Sequence, residues 1–248
     1  MKQDDKAAID GEMDDHKIRL REEINDQIVA LKDIKKLGSL YELELGRPAE
    51  NAREAIQWVY MAYLAAVKEQ DGAAMSLGNV SSFLDIYFEK DLANGLIAEE
   101  EAQEMVDQFV MKLRMVRHLR PGAYDDIFGG DPTWVTEAIG GQFEDGRTKV
   151  TKSSFRFLQT LYNLGPSPEP NLTVLWSENL PDGFKNFCAK VSIDTSSIKH
   201  LHDDMMRAYA GSDDYGMAGG WSPHNLSKRI KFFGARGECP KRLLMALS

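Results

Sequence analysis

The feature that most limits how this chain can fold is a change of rhythm at Pro121-Gly122. Before that point apolar residues recur every three or four positions, the spacing of one helical face. After it, glycine and proline interrupt the chain repeatedly, and only short elements fit between them. Three helices are expected ahead of the break. Ile18, Leu20, Ile24, Ile28, Leu31, Ile34 and Leu37 form the stripe of the first, closed by Gly38. The second opens either with Pro48 in its first turn or with Asn51 and Glu54 as a capping pair. Ala52, Ala55, Ile56, Val59, Tyr63, Ala66 and Val67 form its face, up to Asp71-Gly72. The third has Glu99, Glu100 and Glu101 at its start and Arg114, Arg117 and Arg120 at its end, charges that complement the helix dipole. Its inward face is Ala102, Met105, Val106, Phe109, Val110, Leu113 and Val116.

Beyond the break, Gly129-Gly130-Asp131-Pro132, Gly140-Gly141 and Asp145-Gly146 mark turns. Phe155, Leu158, Leu161 and Tyr162 make a short helix that stops at Gly165-Pro166, and the prolines of Pro166 to Pro170 make a stiff connection. Leu172 to Trp176 reads as a short buried strand and Phe184 to Val191 as another short helix. Gly216 to Gly220 is strand-like, and Phe232 to Ala235 begins a further strand. Long helices followed by short strands predict an α/β body dominated by helix.

Composition excludes several classes of function. The net charge of −9 argues against nucleic acid or an anionic membrane surface as the main partner. No run of apolar residues is long enough to cross a bilayer. Met1 to His16 is acidic without an apolar run, unlike a secretory signal. Residues 1–17 are therefore expected to be a disordered lead-in to a body over 18–248. Two cysteines, Cys188 and Cys239, make no disulfide framework and fit reduced thiols in a cytoplasmic protein.

The residues alone offer few centres of chemistry. His200 and His202, two apart, would share one face of a strand, and Asp203, Asp204 and His224 could complete a metal site; the alternative is a polar loop. Gly219-Gly220 lacks the Lys-Ser/Thr of a phosphate loop and reads as a tight turn. Cys188, between Phe184, Phe187 and Val191, reads as a buried thiol. Cys239, near Arg236, Lys241 and Arg242, has the cations that would activate it.

Longer segments carry more. Gly72-Ala73-Ala74-Met75-Ser76, Glu101 to Asp107, Met111 to Arg117, Gly130-Asp131-Pro132, Asp145 to Thr148, Ser154 to Leu158, Gly165 to Asn171 and Lys190 to Ser197 together resemble pyruvate formate-lyase (formate C-acetyltransferase), across roughly residues 18 to 245. The resemblance implies a helix-rich fragment of that family's ten-stranded α/β barrel, built from two half-barrels. It implies a family reaction in which pyruvate and coenzyme A give acetyl-CoA and formate, part of anaerobic pyruvate metabolism. A stored glycyl radical makes a thiyl radical at an adjacent cysteine pair, and one sulfur carries the acetyl group. Arg236 falls where the family binds the pyruvate carboxylate, a task suited to a bidentate guanidinium. Trp134, Phe233 and Ala74 fall along the substrate pocket; for Trp134 and Phe233, plain core packing is the other reading.

Three departures matter. The family's cysteine pair falls at Gly219 and Gly220, within Asp213-Asp214-Tyr215-Gly216-Met217-Ala218-Gly219-Gly220-Trp221-Ser222-Pro223. Glycine supplies no sulfur, and neither Cys188 nor Cys239 occupies that place. The family's radical-glycine region has no counterpart up to Ser248, and its other pyruvate-binding arginine has none before Asp4. The chain is thus expected to be inactive alone, with no retained catalytic residue, no cofactor and no metal of its own. A non-catalytic partner of a full-length pyruvate formate-lyase or of its activating enzyme is the alternative. The family is homodimeric.

Overall fold

The computed structural model describes residues 2–70, 74–119, 121–123, 126, 132–213, 215–218 and 222–225. They fall into two compact units, one within Met1–Ala49 and one within Glu50–Met245. The first holds α1 (Lys2–Ala7) and α2 (Asp15–Leu40). Asp14 caps α2 by accepting the Lys17 N–H at 2.8 Å. The helix runs through Gly38, which therefore does not end it. Glycine is needed there because Leu45 packs so close that a Cβ would lie 2.7 Å from its side chain. Of the apolar stripe only Ile24 is fully buried within this unit, whereas Ile18, Leu20 and Leu37 are exposed.

The second unit alternates helix and strand. Its helices are α3 (Ala52–Gln70), α4 (Val80–Ala93), α5 (Glu99–Met115), α6 (Lys152–Asn163), α7 (Asp182–Thr195) and α8 (Asp203–Ala210). The strands are β1 (Ser76–Gly78), β2 (Thr136–Gly140), β3 (Asn171–Trp176), β4 (Ile198–His202), β5 (Tyr215–Ala218) and β6 (Ser222–Asn225). Strands β1 to β4 pair in chain order, all parallel, and β5 and β6 form an antiparallel hairpin. Parallel neighbours need long crossovers, and α4 to α7 supply them.

Residue choice explains the helix ends. For α3 the capping pair prevails over Pro48: Asn51 accepts the Glu54 N–H at 2.9 Å, while the Glu54 carboxylate takes the Glu50 N–H at 3.0 Å. The expected stop at Asp71-Gly72 lies outside the described residues. Glu101 reaches back to the Ala98 N–H at 2.7 Å to start α5, whose buried face is Ala102, Val106, Phe109, Val110 and Leu113. Arg114 does more than complement a dipole: it donates to the carbonyls of Leu164, Gly165 and Glu169. Helix α4 is unexpected, since its apolar residues surround the axis; Leu84 and Phe88 are buried while Phe83 and Ile86 are exposed. Arg156, with a side chain 7% exposed, pairs with Glu99 at 2.5 Å and Asp85 at 3.6 Å and lies over Phe88, tying α4, α5 and α6 together.

Along β2 successive side chains alternate between the two faces of the sheet. Glu137 points to the helices, where its carboxylate accepts the Ser81 and Val80 N–H groups of α4 at 2.7 and 3.2 Å. Ala138 points to the other face and packs with Leu175, Tyr215 and Met217. Helices α4 to α7 thus cover one face, and the hairpin lies against the other together with α8, whose Met206 and Ala210 join this cluster. At the carboxyl end of β2, Gly140 and Gly141 both take positive φ, and a Cβ on Gly141 would lie 3.2 Å from Asp203 and Leu175.

Candidate functional site

Two of the residues expected along the pocket lie together at the amino edge of the sheet. Ala74 stands two residues before β1 and Trp134 two residues before β2. The Ala74 N–H donates to the Thr133 carbonyl at 2.8 Å, and the Thr136 N–H donates to the Met75 carbonyl at 3.0 Å. Both residues have left-handed backbones, with φ of 73° at Ala74 and 49° at Trp134. Both are half-buried, so Trp134 is not simply core. Arg236, Phe233, Gly219 and Gly220 lie outside the described residues.

A buried carboxylate that sequence reasoning missed organises this edge. Glu169 is 3% exposed and stands two residues before β3. Its Oε1 accepts the Thr133 hydroxyl at 3.2 Å and the Val135 N–H at 3.3 Å, with the Trp134 N–H as a further donor. Tyr63 and Thr133 share a hydroxyl–hydroxyl bond of 2.7 Å. Arg117 places Nη1 4.0 Å from Glu169 Oε2. Burial pushes the Glu169 carboxyl above its ordinary range, opposed by these donors and by Arg117. A signal was present: a charged residue between two prolines, in Pro168-Glu169-Pro170, where a stiff connection alone would not call for a carboxylate.

A second polar group occupies the carboxyl edge. Asp203 is buried and accepts the Tyr215 hydroxyl at 2.6 Å and the Gln142 N–H at 2.9 Å, fixing the start of β5 against the sheet. Burial and the hydrogen bond to Asp203 push the Tyr215 phenol far up. His200 and His202 do sit on a strand, β4, and so project to one face. Of their expected companions, Asp203 turns away and Asp204 approaches only His202. Asp203 is turned to Tyr215, and His202 lies edge-on to Trp176 with its Nδ1 4.0 Å from Asp204. Among the described residues no three His, Cys, Asp or Glu side chains could hold a metal ion. Cys188 is buried and its thiol is pushed up to about 12, as an inert core thiol should be. Cys239 lies outside the described residues. A groove of about 400 Å³ between α3 and α5, with Ile56 and Phe109 at its base and Arg53, Glu104 and Lys112 on its rim, contains none of the pocket residues.

A parallel sheet with α4 to α7 on one face, the hairpin and α8 on the other, and the Ala74–Trp134 edge is the arrangement expected of a half-barrel. The family model described as pyruvate formate lyase-like matches residues 4–248. The chain belongs to that family. Formate acetyltransferase 1 of Escherichia coli (strain K12) is 58% identical over 231 residues, which are 93% of this chain and 30% of that relative. The pyruvate formate lyase-like chain described here therefore spans about 30% of the length of that curated relative. Among solved structures, the glycerol-bound B12-independent glycerol dehydratase of Clostridium butyricum is similar with a TM-score of 0.77 at 20% identity, covering 90% of this chain and 33% of the other. A glycyl radical enzyme of Archaeoglobus fulgidus gives a TM-score of 0.65 at 21% identity, covering 80% and 31%. At such identities these two establish the pyruvate formate lyase-like barrel fold alone. No helix among the described residues is long and apolar enough to cross a membrane.

Proposed function

We propose that this chain forms part of a pyruvate-binding barrel of the pyruvate formate-lyase type that does not itself carry the acetyl group. One observation carries the reading: Gly219 and Gly220 stand where the family has its adjacent cysteines, inside an otherwise matching Asp213 to Pro223 segment. The family reaction converts pyruvate and coenzyme A to acetyl-CoA and formate through a sulfur-bound acetyl group. A glycine pair can neither hold an unpaired electron on sulfur nor form the thioester. Pyruvate binding needs no sulfur. Trp134 and Ala74 form the pocket wall in this reading, with Phe233 beside them and Arg236 pairing with the carboxylate. Such a protein works in the cytoplasm and does so as a pseudoenzyme.

The test is formate release from pyruvate and coenzyme A under strict anaerobiosis, with a glycyl-radical activating enzyme present. The chain should release none, while pyruvate should still bind, as measured by titration calorimetry. Catalytic formate release would overturn the assignment.

The second reading is a non-catalytic partner of a full-length pyruvate formate-lyase or of its activating enzyme. It is favoured by the sheet itself, because β1 and β4 each pair on one side only among the described residues, and open edges invite another strand. Sedimentation of the chain mixed with each candidate should show a complex of fixed stoichiometry. Independent sedimentation would end this reading.

A further inference from the structure

We propose that Glu169 is the positioning residue of the substrate pocket, holding Trp134 directly, and Ala74 through Thr133, in the conformations that form the pocket wall. The inference rests on the reading of those two residues as pocket wall, and it adds a residue that the resemblance does not supply.

Trp134 and Ala74 have φ of 49° and 73°, in the left-handed region that residues with a Cβ avoid. Such a backbone persists only where its surroundings over-determine it. Beside Trp134 stands a buried carboxylate. Glu169 accepts the Thr133 hydroxyl, the Trp134 N–H and the Val135 N–H, so three consecutive residues converge on it. The grip extends to Ala74, whose N–H is bound by the carbonyl of Thr133. Tyr63 fixes the Thr133 hydroxyl from α3.

The carboxylate is itself held from behind. Arg114 donates Nε to the Glu169 carbonyl at 2.9 Å and its two Nη groups to Leu164 and Gly165, pinning the segment that carries Glu169 to α5. Arg117 lies 4.0 Å from Oε2. A buried carboxylate that gathers donors from one short segment fixes that segment more firmly than neutral acceptors would, since charge-assisted hydrogen bonds are the stronger kind. Its donors come from Thr133, Trp134 and Val135, so Glu169 acts through Trp134 and, by way of Thr133, Ala74.

The test labels the whole chain with 5-fluorotryptophan and follows the fluorine resonance of Trp134, assigned by its loss in Trp134→Phe. Pyruvate affinity is measured on the same samples. Glu169→Ala should displace the Trp134 resonance while leaving those of Trp58 and Trp176 in place. It should also raise the pyruvate Kd by about tenfold, equivalent to about 1.4 kcal/mol. Glu169→Gln, whose amide oxygen can still accept from Thr133 and Val135, should show a smaller displacement and a smaller rise. An unmoved Trp134 resonance in folded Glu169→Ala, or in Glu169→Gln where the alanine variant does not fold, overturns the proposal. A displaced resonance with unchanged pyruvate affinity overturns it too, because the grip would then serve the fold alone. Wild-type protein that binds no pyruvate overturns the pocket reading instead, and the Trp134 resonance still decides whether Glu169 holds that residue.

Discussion

Three of the buried carboxylates of the second unit have different neighbours and different consequences. Glu169 gathers donors at the amino edge, Asp203 gathers them at the carboxyl edge, and Glu137 receives two N–H groups of α4 from the middle of β2. Burial pushes the Glu137 carboxyl up to about 8, with the Ser81 and Val80 donors only partly opposing it. Its folded value thus lies above its unfolded value of 4.5. The associated stability is fully present below pH 4.5 and is lost as pH rises through about 8. Within that window this one group lowers stability by up to about 1.4 kcal/mol per pH unit. Neutral glutamate and glutamine are near isosteres, so urea denaturation between pH 5 and pH 8 should give stabilities that diverge as pH rises, with wild type falling below Glu137→Gln. Parallel curves would show that Glu137 is already ionised in the folded protein.

At the scale of elements, the helix layer is joined by charge as well as by apolar contact. Arg156 of α6 bridges Asp85 of α4 and Glu99 of α5, with Ser153 taking a further donor at 3.1 Å. Glu99 is itself drawn down mainly by its hydrogen bond to Arg156. Removing a buried partner strands the charges around it, so Arg156→Ala should lose about 3 kcal/mol in chemical denaturation. Arg156→Lys should recover little, because an ammonium lacks the planar fork that reaches two carboxylates at once. Full recovery by lysine would mean that charge, rather than geometry, is what the site requires. The elements legible in the sequence were those with a clean period, charged ends or clear turn boundaries: α2, α3, α5, α6, α7, β3 and β5. Helix α4 was hidden because apolar residues surround its axis, and β1 was hidden because three residues are too few to show a period.

At the scale of the molecule, burial is uneven. In α2 only Ile24 and Gly38 are buried, whereas every residue of β2 is. Opening free energy follows buried contact. Native-state hydrogen exchange should therefore be slowest in Thr136–Gly140 and the middle of Asn171–Trp176, and orders of magnitude faster in Asp15–Leu40. Equal protection in α2 and β2 would mean that a partner, such as a second copy, covers the α2 stripe in solution.

Sequence alone determined which stretches turn into long helices, that the body is α/β, and which family it comes from, because period, charge placement and long matching segments are local properties. The family resemblance also raised the expectation that Ala74 and Trp134 line a pocket and that Gly219 and Gly220 stand where the family has its cysteines. Tertiary structure alone decided that β1 to β4 align in parallel and that the hairpin lies opposite α4 to α7. It also decided that Glu169, Thr133 and Tyr63 meet behind Trp134. Those contacts join residues 63, 133 and 169, and no local pattern records a hydrogen bond between side chains that far apart in the chain. A lone glutamate between prolines looks like a surface charge until the fold buries it.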